Sequence, residues 1–465
     1  MMAWQRGVSE MRLLLPLFLL LLQCPLSPHA MLYAPPQGSI WDPSCLRIGG
    51  QTHCVFMYIS SNGTANSLHG GYPSGLLASA NDGVHFRTVG QVAFEQWEGV
   101  GFFKAFVSYI GPDPAQPDKP LFVMNHGTEG NTTDRPPRSA SDPGCPYDSQ
   151  CLRWLRSNDM LNWSPMYTNS PDPRWYLVSG GGAAARWDAA SMMPDPAGRG
   201  WLAFPTASVP GRINCGLGLM RSPDGVSNWS AVAPPSYDWG ALGRGTSMEI
   251  GGVEKIGDRY FVIGGTGNAG YEPYPVQPPY RGSPYSMYVL SSASPGGPYT
   301  PRPASFRLSG VTQIPAKRET FHSLGAWVHD YDSGEHLMSN YIMSSNIYMT
   351  PLKRPIADEA GNLRLTWWEG NEKLKGPPIQ DFPSTLSVAA PTDGSCSKSS
   401  ATVWLPAPGP TWNHTVGIVV TGMLTVTRAR GTTQASVGFG FEAVEPSQWA
   451  PTVRPPSHIH TSCAF

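Results

Sequence analysis

The chain has 465 residues, of which 40% are hydrophobic and only 14% charged, so it is long and apolar enough for more than one domain and is not a disordered chain. Its formal net charge of −1 gives no electrostatic reason to expect nucleic acid or an anionic membrane as partner. Gly (51) and Pro (48) are abundant beside many aromatic residues, which favours short strands joined by turns over long helices.

The N-terminus carries Arg6 and Arg12, then the apolar run "LLLPLFLLLL", then Pro28-His29-Ala30. A basic start, a short apolar core and a small residue at a cut site predict a signal peptide over residues 1–30. The run is too short for a comfortable membrane span, and no later stretch is long enough for one. The expectation is a secreted or lumenal protein (extracellular, vacuolar or cell wall) with no membrane contact after cleavage. The cysteines fit that route. Cys45 and Cys54 flank a hairpin-like segment, Cys145 and Cys151 bracket "PYDSQ", Cys396 and Cys463 are placed to tie down the tail, and Cys215 is left over. No spacing resembles a zinc site, so no metal is expected. Sequons at Asn62, Asn131, Asn162, Asn228 and Asn413 suit glycans on exposed loops of a secreted chain.

Three segments then repeat one design: "SANDGVHFRTVG" from Ser79, "RSNDMLNWSPM" from Arg156 and "RSPDGVSNWSAV" from Arg221. Each has a Ser, an Asp-Gly-like turn and an aromatic (Phe86, Trp163, Trp229); "SSASPGGPYTP" from Ser291 is a looser fourth copy. Their starts lie 65 to 77 residues apart, which suits a four-stranded blade with inserted loops. Upstream of each hairpin, first strands are predicted near "GSIWDPSCLRI", "VGFFKAFVSYI", "AARWDAASMMP" and "SMEIGGVEKI", with a fifth at "RETFHSLGAWVHD". One such blade cannot bury both of its faces, whereas five arranged radially can. The fold class expected is therefore all-β: a five-bladed β-propeller over residues 31–376, followed by a small or incomplete C-terminal β-sandwich over 377–465. The alternating "HTVGIVVTGMLTV" and "QASVGFGFEAV" supply strands of that tail.

The innermost strand of each blade lines the propeller axis. Read blade by blade, that position presents Asp42, then Phe103 and Lys104, then Asp188, then Glu249, then Glu319 to His322. Three carboxylates from blades one, three and four, remote in sequence, can converge at one mouth of the channel. Like charges in a partly dry funnel repel and are desolvated, which pushes at least one pKa upward and creates the environment that proton-transfer catalysis needs. Trp41 and Trp187 precede the two aspartates and offer flat apolar platforms for sugar C–H faces, as does Phe103. "GGGAAARWD" has glycines but no Lys-Ser/Thr, so a phosphate loop is not expected and no cofactor is implied. Glu254 with Lys255 reads as a solvated pair, and His322 as a hydrogen-bonding residue at the blade-five position.

These residues resemble the five-bladed β-propeller glycosidases of families 32, 43, 62 and 68. "SIWDPS" resembles their first acid motif, "ARWDAAS" their Arg-Asp element, and "MEIGGVEKIGDRYFVI" their acid-bearing strand. The similarity covers roughly residues 36 to 376, and the C-terminal strands resemble the sandwich appended to family 32, the invertase and fructanase group. The resemblance implies a secreted β-fructofuranosidase acting on sucrose or fructans, with Asp42 as nucleophile, Asp188 as transition-state stabiliser and Glu249 as acid/base. Trp41, Phe103, Lys104, Arg186, Trp187 and His322 would bind the oligosaccharide or sucrose-like substrate. The family 43 alternative is an inverting arabinofuranosidase or xylosidase with Asp42 as base. A propeller that binds carbohydrate without cleaving it is the second alternative. The motifs depart from family 32 at Trp41, at Pro43-Ser44, at Trp187 between Arg186 and Asp188, and at Ile250 after Glu249.

Overall fold

The computed structural model describes residues 32–59, 74–94, 106–128, 151–178, 186–210, 216–237, 249–266, 286–302, 307–309, 322–343 and 347–375. The chain divides into two compact units, Met1–Leu374 and Lys375–Phe465. The expected signal peptide, Phe103, Lys104, Cys145, Cys215, the Cys396 and Cys463 pair and the C-terminal strands lie outside the described residues. Among the described residues no helix is long and apolar enough to cross a membrane.

The described residues of the first unit are almost entirely β. Its strands fall into five antiparallel groups in chain order. The first holds β1 (Ser39–Ile48), β2 (Gln51–Ile59), β3 (Ser74–Ala80) and β4 (Arg87–Phe94); the second holds β5 (Phe106–Pro112), β6 (Phe122–Thr128), β7 (Cys151–Ser157) and β8 (Asn162–Asn169). The third has β9 (Trp187–Pro194), β10 (Trp201–Ala207), β11 (Gly216–Leu217), β12 (Met220–Ser222) and β13 (Ser230–Ala231). The fourth has β14 (Glu249–Ile256), β15 (Arg259–Thr266), β16 (Ser286–Ser292), β17 (Thr300–Pro301) and β18 (Arg307–Ser309). The fifth has β19 (His322–Asp330), β20 (His336–Met343), β21 (Ile347–Met349), β22 (Lys353–Ala357) and β23 (Leu363–Trp367), and a 3-10 turn, Glu369–Leu374, follows it.

The first strands touch one another in cyclic order: β1 to β5, β5 to β9, β9 to β14, β14 to β19, and β19 back to β1. The last contact is a parallel ladder with Cys45 opposite Val328, Leu46 opposite His329 and Arg47 opposite Asp330. Arg47 reinforces it by donating to both Asp330 oxygens at 3.1 Å and to Asp332 at 2.9 Å. Tyr33, ahead of β1, exchanges two backbone hydrogen bonds with Met349 of the fifth group. Cys45 and Cys54, directly opposite on β1 and β2, form a disulfide as the sequence leads one to expect. Cys151 is also disulfide-bonded, to a partner outside the described residues.

The apolar side chains sort between groups rather than within them. One cluster joins Leu46, Val55, Leu77 and Val92 of the first group to Ile110, Met124, Leu155 and Trp163 of the second. Others join second to third, third to fourth, fourth to fifth and fifth to first. The repeated turns explain how the aromatics reach these seams. Ser157 Oγ accepts the N–H groups of Asp159 and Met160, and Asp159 Oδ1 accepts those of Leu161 and Asn162. Ser222 and Asp224 repeat the pattern on Asp224, Gly225, Val226 and Ser227. Asp82 does its half on Val84 and His85. Each network satisfies the backbone of a tight turn whose Gly-like position has positive φ: Gly83 at 92°, Met160 at 59°, Gly225 at 78°. The aromatic that follows then turns inward. Trp163 is fully buried with its indole N–H on the Met160 carbonyl, and Trp229 stacks on Trp154 of the neighbouring group at 5.0 Å.

Because Trp163 fills a seam shared by two groups, Trp163→Ala is expected to cost roughly 3–5 kcal/mol. Urea denaturation followed by circular dichroism measures it; a loss below about 1 kcal/mol would show that the seams do not carry the stability of the fold.

Candidate active site

Asp42 lies where β1 departs from regular pairing. Trp41 pairs with Met57 and Ser44 with Val55, so Asp42 and Pro43 are looped out between them. Asp42 has φ of 42°, a left-handed conformation made more restrictive by the following proline, and such strain is characteristic of functional positions. The looped-out carboxylate is partly buried, and its Oδ1 accepts the hydroxyl of Tyr341 at 3.1 Å.

Asp188 owes its position to the residues around it. Ser208 donates its N–H to the Arg186 carbonyl, and Arg186 donates its own N–H to Ser208 Oγ. Trp187 is fully buried, packs on Tyr176 at a centroid distance of 4.6 Å, and donates its indole N–H to Asn169. This corrects the expectation that Trp187 offers a sugar platform. Side chains alternate along a strand, so the tryptophan that anchors the start of β9 in the core puts Arg186 and Asp188 together on the opposite side. Asp188 is 1% exposed, and Arg186 grips it with a two-pronged contact, Nε to Oδ2 at 3.1 Å and Nη2 to Oδ1 at 3.0 Å.

Glu249 opens β14, opposite Gly265. The next residue, Ile250, donates its N–H to Thr206 Oγ1, and Thr206 is the residue opposite Asp188 in the β9–β10 ladder. A bulge follows between Ile250 and Gly252, where β14 approaches β19 so closely that a Cβ on Gly251 would lie 2.3 Å from the Gly325 carbonyl oxygen. Only glycine allows that approach, two residues beyond Glu249. Glu249 Oε1 then receives Arg186 Nη2 at 2.7 Å. One guanidinium thus holds two of the three carboxylates that the sequence singled out.

Asp42 feels the same cluster. Burial, then the charge of Glu249, push its pKa up to about 7, with Asp188 adding to the rise; the Tyr341 hydroxyl and Arg186 oppose it. The three acids named from the sequence therefore sit in one electrostatically coupled group. Arg186, expected to bind substrate, here ties carboxylates together. Trp41 is only partly buried and packs against the seam between fifth and first groups. His322 is the first residue of β19, opposite Met343.

Sequence reasoning missed Tyr341 and Thr206, whose roles come from strand neighbours that no local pattern marks. It also misread Glu254. The expected solvated partner of Lys255 is 2% exposed and faces His329 and His336. Lys255 alone turns outward, over the ring of Tyr260.

No protein-family model matches the sequence, and no curated protein matches it either. Solved structures do match. A variant of the family 32 β-fructofuranosidase of Bombyx mori, in complex with sucrose, aligns at 11% identity with a TM-score of 0.50, covering 84% of this chain and 75% of that one. A thermostable family 43 glycoside hydrolase aligns at 14% identity and TM-score 0.43, over 75% of this chain and 97% of that one. The family 43 protein BlXynB of Bacillus licheniformis aligns at 15% identity and TM-score 0.42; this chain is covered over 75% and spans only 57% of that protein. The fold is thus that of the propeller glycoside hydrolases, as the sequence motifs suggest.

The raised pKa of Asp42 gives a signed expectation for stability. Its folded value of about 7 lies above the ordinary carboxylate value, so the stability contributed by the neutral acid is complete at low pH and is lost as pH rises through about 7. Asp42→Asn keeps the neutral form at every pH. It is expected to raise the melting temperature at about pH 8 and to leave it nearly unchanged at about pH 4. Thermal unfolding at the two pH values tests this, and an equal effect at both would refute the shift. Removing the hydroxyl that favours the anion, in Tyr341→Phe, should move the Asp42 titration above 7, as read by carbon-detected NMR of the carboxyl.

Proposed function

We propose that the protein is a secreted glycoside hydrolase whose five strand groups are the blades of a β-propeller over residues 31–376, with residues 377–465 as a sandwich-like tail. The observation that carries this reading is the meeting of Asp42, Asp188 and Glu249, from three separate groups, around Arg186 and Tyr341. A structural salt bridge would need one acid for one base. Here three acids face one guanidinium, at the cost of holding a proton on the cluster near neutral pH. That is the state a two-carboxylate glycosidase starts from: one acid protonated to assist the leaving group, another ionised to attack or to activate water.

The substrate we infer is a β-fructofuranoside such as sucrose or a fructan, cleaved with retention. The family motifs support it, as does the likeness in fold to an enzyme solved with sucrose. In the free protein Arg186 favours the anion of Glu249 and leaves the proton on the Asp42 side of the cluster. A sugar hydroxyl that takes over the Arg186 contact lets the proton pass to Glu249. Glu249 then protonates the departing glycosidic oxygen while Asp42 attacks the anomeric carbon, and Asp188, fixed by Arg186, accepts hydrogen bonds from the sugar hydroxyls. Water activated by Glu249 hydrolyses the glycosyl-enzyme and restores both acids. Since Asp188 is already paired, its part is to hold and orient rather than to transfer a proton.

One observation favours a second reading. A carboxylate with a pKa near 7 is better matched to a general base than to a nucleophile that must later leave, which suits an inverting enzyme on arabinofuranosides or xylosides. Proton NMR of the first product released from sucrose, fructans, aryl arabinofuranosides and aryl xylosides separates the readings, because retention and inversion give opposite anomers. Turnover of the fructosides with retention is expected. Sugar binding without any turnover would leave a carbohydrate-binding protein and sink the hydrolase. With an active substrate in hand, Glu249→Gln should lower kcat by about 10²–10⁴-fold with little change in affinity.

A further inference from the structure

Glu254, His329 and His336 make a second cluster of functional groups. His329 and His336 stand directly opposite each other on β19 and β20, and Glu254 reaches them from β14. His329 Nε2 lies 2.9 Å from Glu254 Oε1, and His336 Nε2 lies 3.6 Å from Glu254 Oε2. One donor atom from each residue can be chosen so that all three lie within 4.8 Å of one another. The two imidazole rings are nearly perpendicular, at 80° and 5.1 Å between centroids. Tyr109 packs edge-on against His329, Tyr331 lies over its other side, and their hydroxyls bond each other at 2.9 Å, which fixes the ring from outside.

The cluster is distinct from the three carboxylates. Glu254 follows Glu249 by five residues on β14, and His329 is opposite Leu46, four residues beyond Asp42 on β1. At about 3.3 Å per residue the two sites are separated by roughly 13 Å along the inner strands.

One feature shows that protein groups alone do not satisfy this cluster. Glu254 Oε1 is a buried atom without a hydrogen-bond partner, although His329 Nε2 stands 2.9 Å from it. The contact is short, yet it is not aimed as an N–H···O bond is, and a buried carboxylate left in that state is costly. A dication supplies what is missing. Ligands held 2.0–2.1 Å from a tetrahedral zinc stand about 3.3 Å apart, a spacing inside the 4.8 Å that encloses one donor atom from each of the three residues.

We propose that Glu254, His329 and His336 bind one zinc-class divalent cation, with a water completing the tetrahedron. Two imidazole nitrogens and one carboxylate suit zinc and its first-row neighbours, whereas calcium takes six to eight oxygens. The histidine side chains are 18% and 23% exposed while the glutamate is 2% exposed, so the ion and its water enter from the histidine side and the carboxylate forms the floor. Its ligands come from the fourth and fifth strand groups, so the bound ion staples the two groups together beside the seam that closes the ring. The ligands lie far apart in sequence, with 74 residues between Glu254 and His329. That is why no zinc-like spacing marks them.

The test uses the full chain, stripped with a chelator and dialysed metal-free. Zinc chloride is titrated by calorimetry, metal content is measured after desalting, and melting temperature is followed with and without zinc. The expected result is one tightly held equivalent per chain and a melting temperature raised by zinc through mass action on the folded state. Glu254→Gln, close in volume, and His336→Gln should each weaken zinc binding by about tenfold or more and abolish the thermal shift, while His53→Gln on the β2 strand should change neither. Cobalt in place of zinc gives an independent signature, visible bands of tetrahedral nitrogen and oxygen ligation that are lost in His329→Gln. Substoichiometric binding by the wild-type chain overturns the proposal, whatever the variants do. So does a full equivalent retained by both the Glu254 and His336 variants, which would place the ion elsewhere.

Discussion

Everything in the first unit depends on apolar surface being shared between neighbouring strand groups. Among the described residues no group keeps a core to itself. Each seam draws side chains from two consecutive groups, and the fifth seam returns to the first. The geometry is therefore collective: the inner strands are placed by the closure of the ring and not by their own hairpins. Residues at corresponding points of those strands are forced towards one axis whether or not they attract each other. Asp42, Asp188 and Glu249 are held together in this way, against their mutual repulsion.

The energetic tension at the candidate active site is consequently paid out over the whole molecule. A carboxylate desolvated beside two others is unfavourable, and the left-handed backbone of Asp42 adds to the cost. Arg186 offsets part of it by serving Asp188 and Glu249 at once, and Tyr341 offsets part by donating to Asp42. Neither makes the cluster neutral. The remainder shows as the Asp42 pKa, pushed up to about 7.

How far this was legible in the sequence differs from residue to residue. The repeated turns were visible because their logic is local: Ser222 and Asp224 satisfy backbone groups within five residues of themselves, so the pattern must appear in the linear text. The three acids were visible because each stands near the beginning of a recognisable inner strand. Trp187 was misassigned as a sugar platform because position beside an acid says nothing about side; strand alternation turned it into the core. Glu254 was misassigned because Lys255 next to it suggested an exposed pair, while its real partners lie at His329 and His336. Tyr341 and Thr206 carried no signal, since their value comes only from strands pairing across the fold. The two-residue strands β11, β13 and β17 are likewise too short to be read from any period. What is local could be read; what arises on closure could not.

The pairing of β1 with β19, reinforced by Arg47 and by the bridge from Tyr33 to Met349, has a consequence for the birth of the protein. The strand synthesised first meets its lateral neighbour only after nearly the whole ring has left the ribosome. Until then its open edge is an unpaired template for other chains. A contact of such high sequence separation slows the closure of the ring.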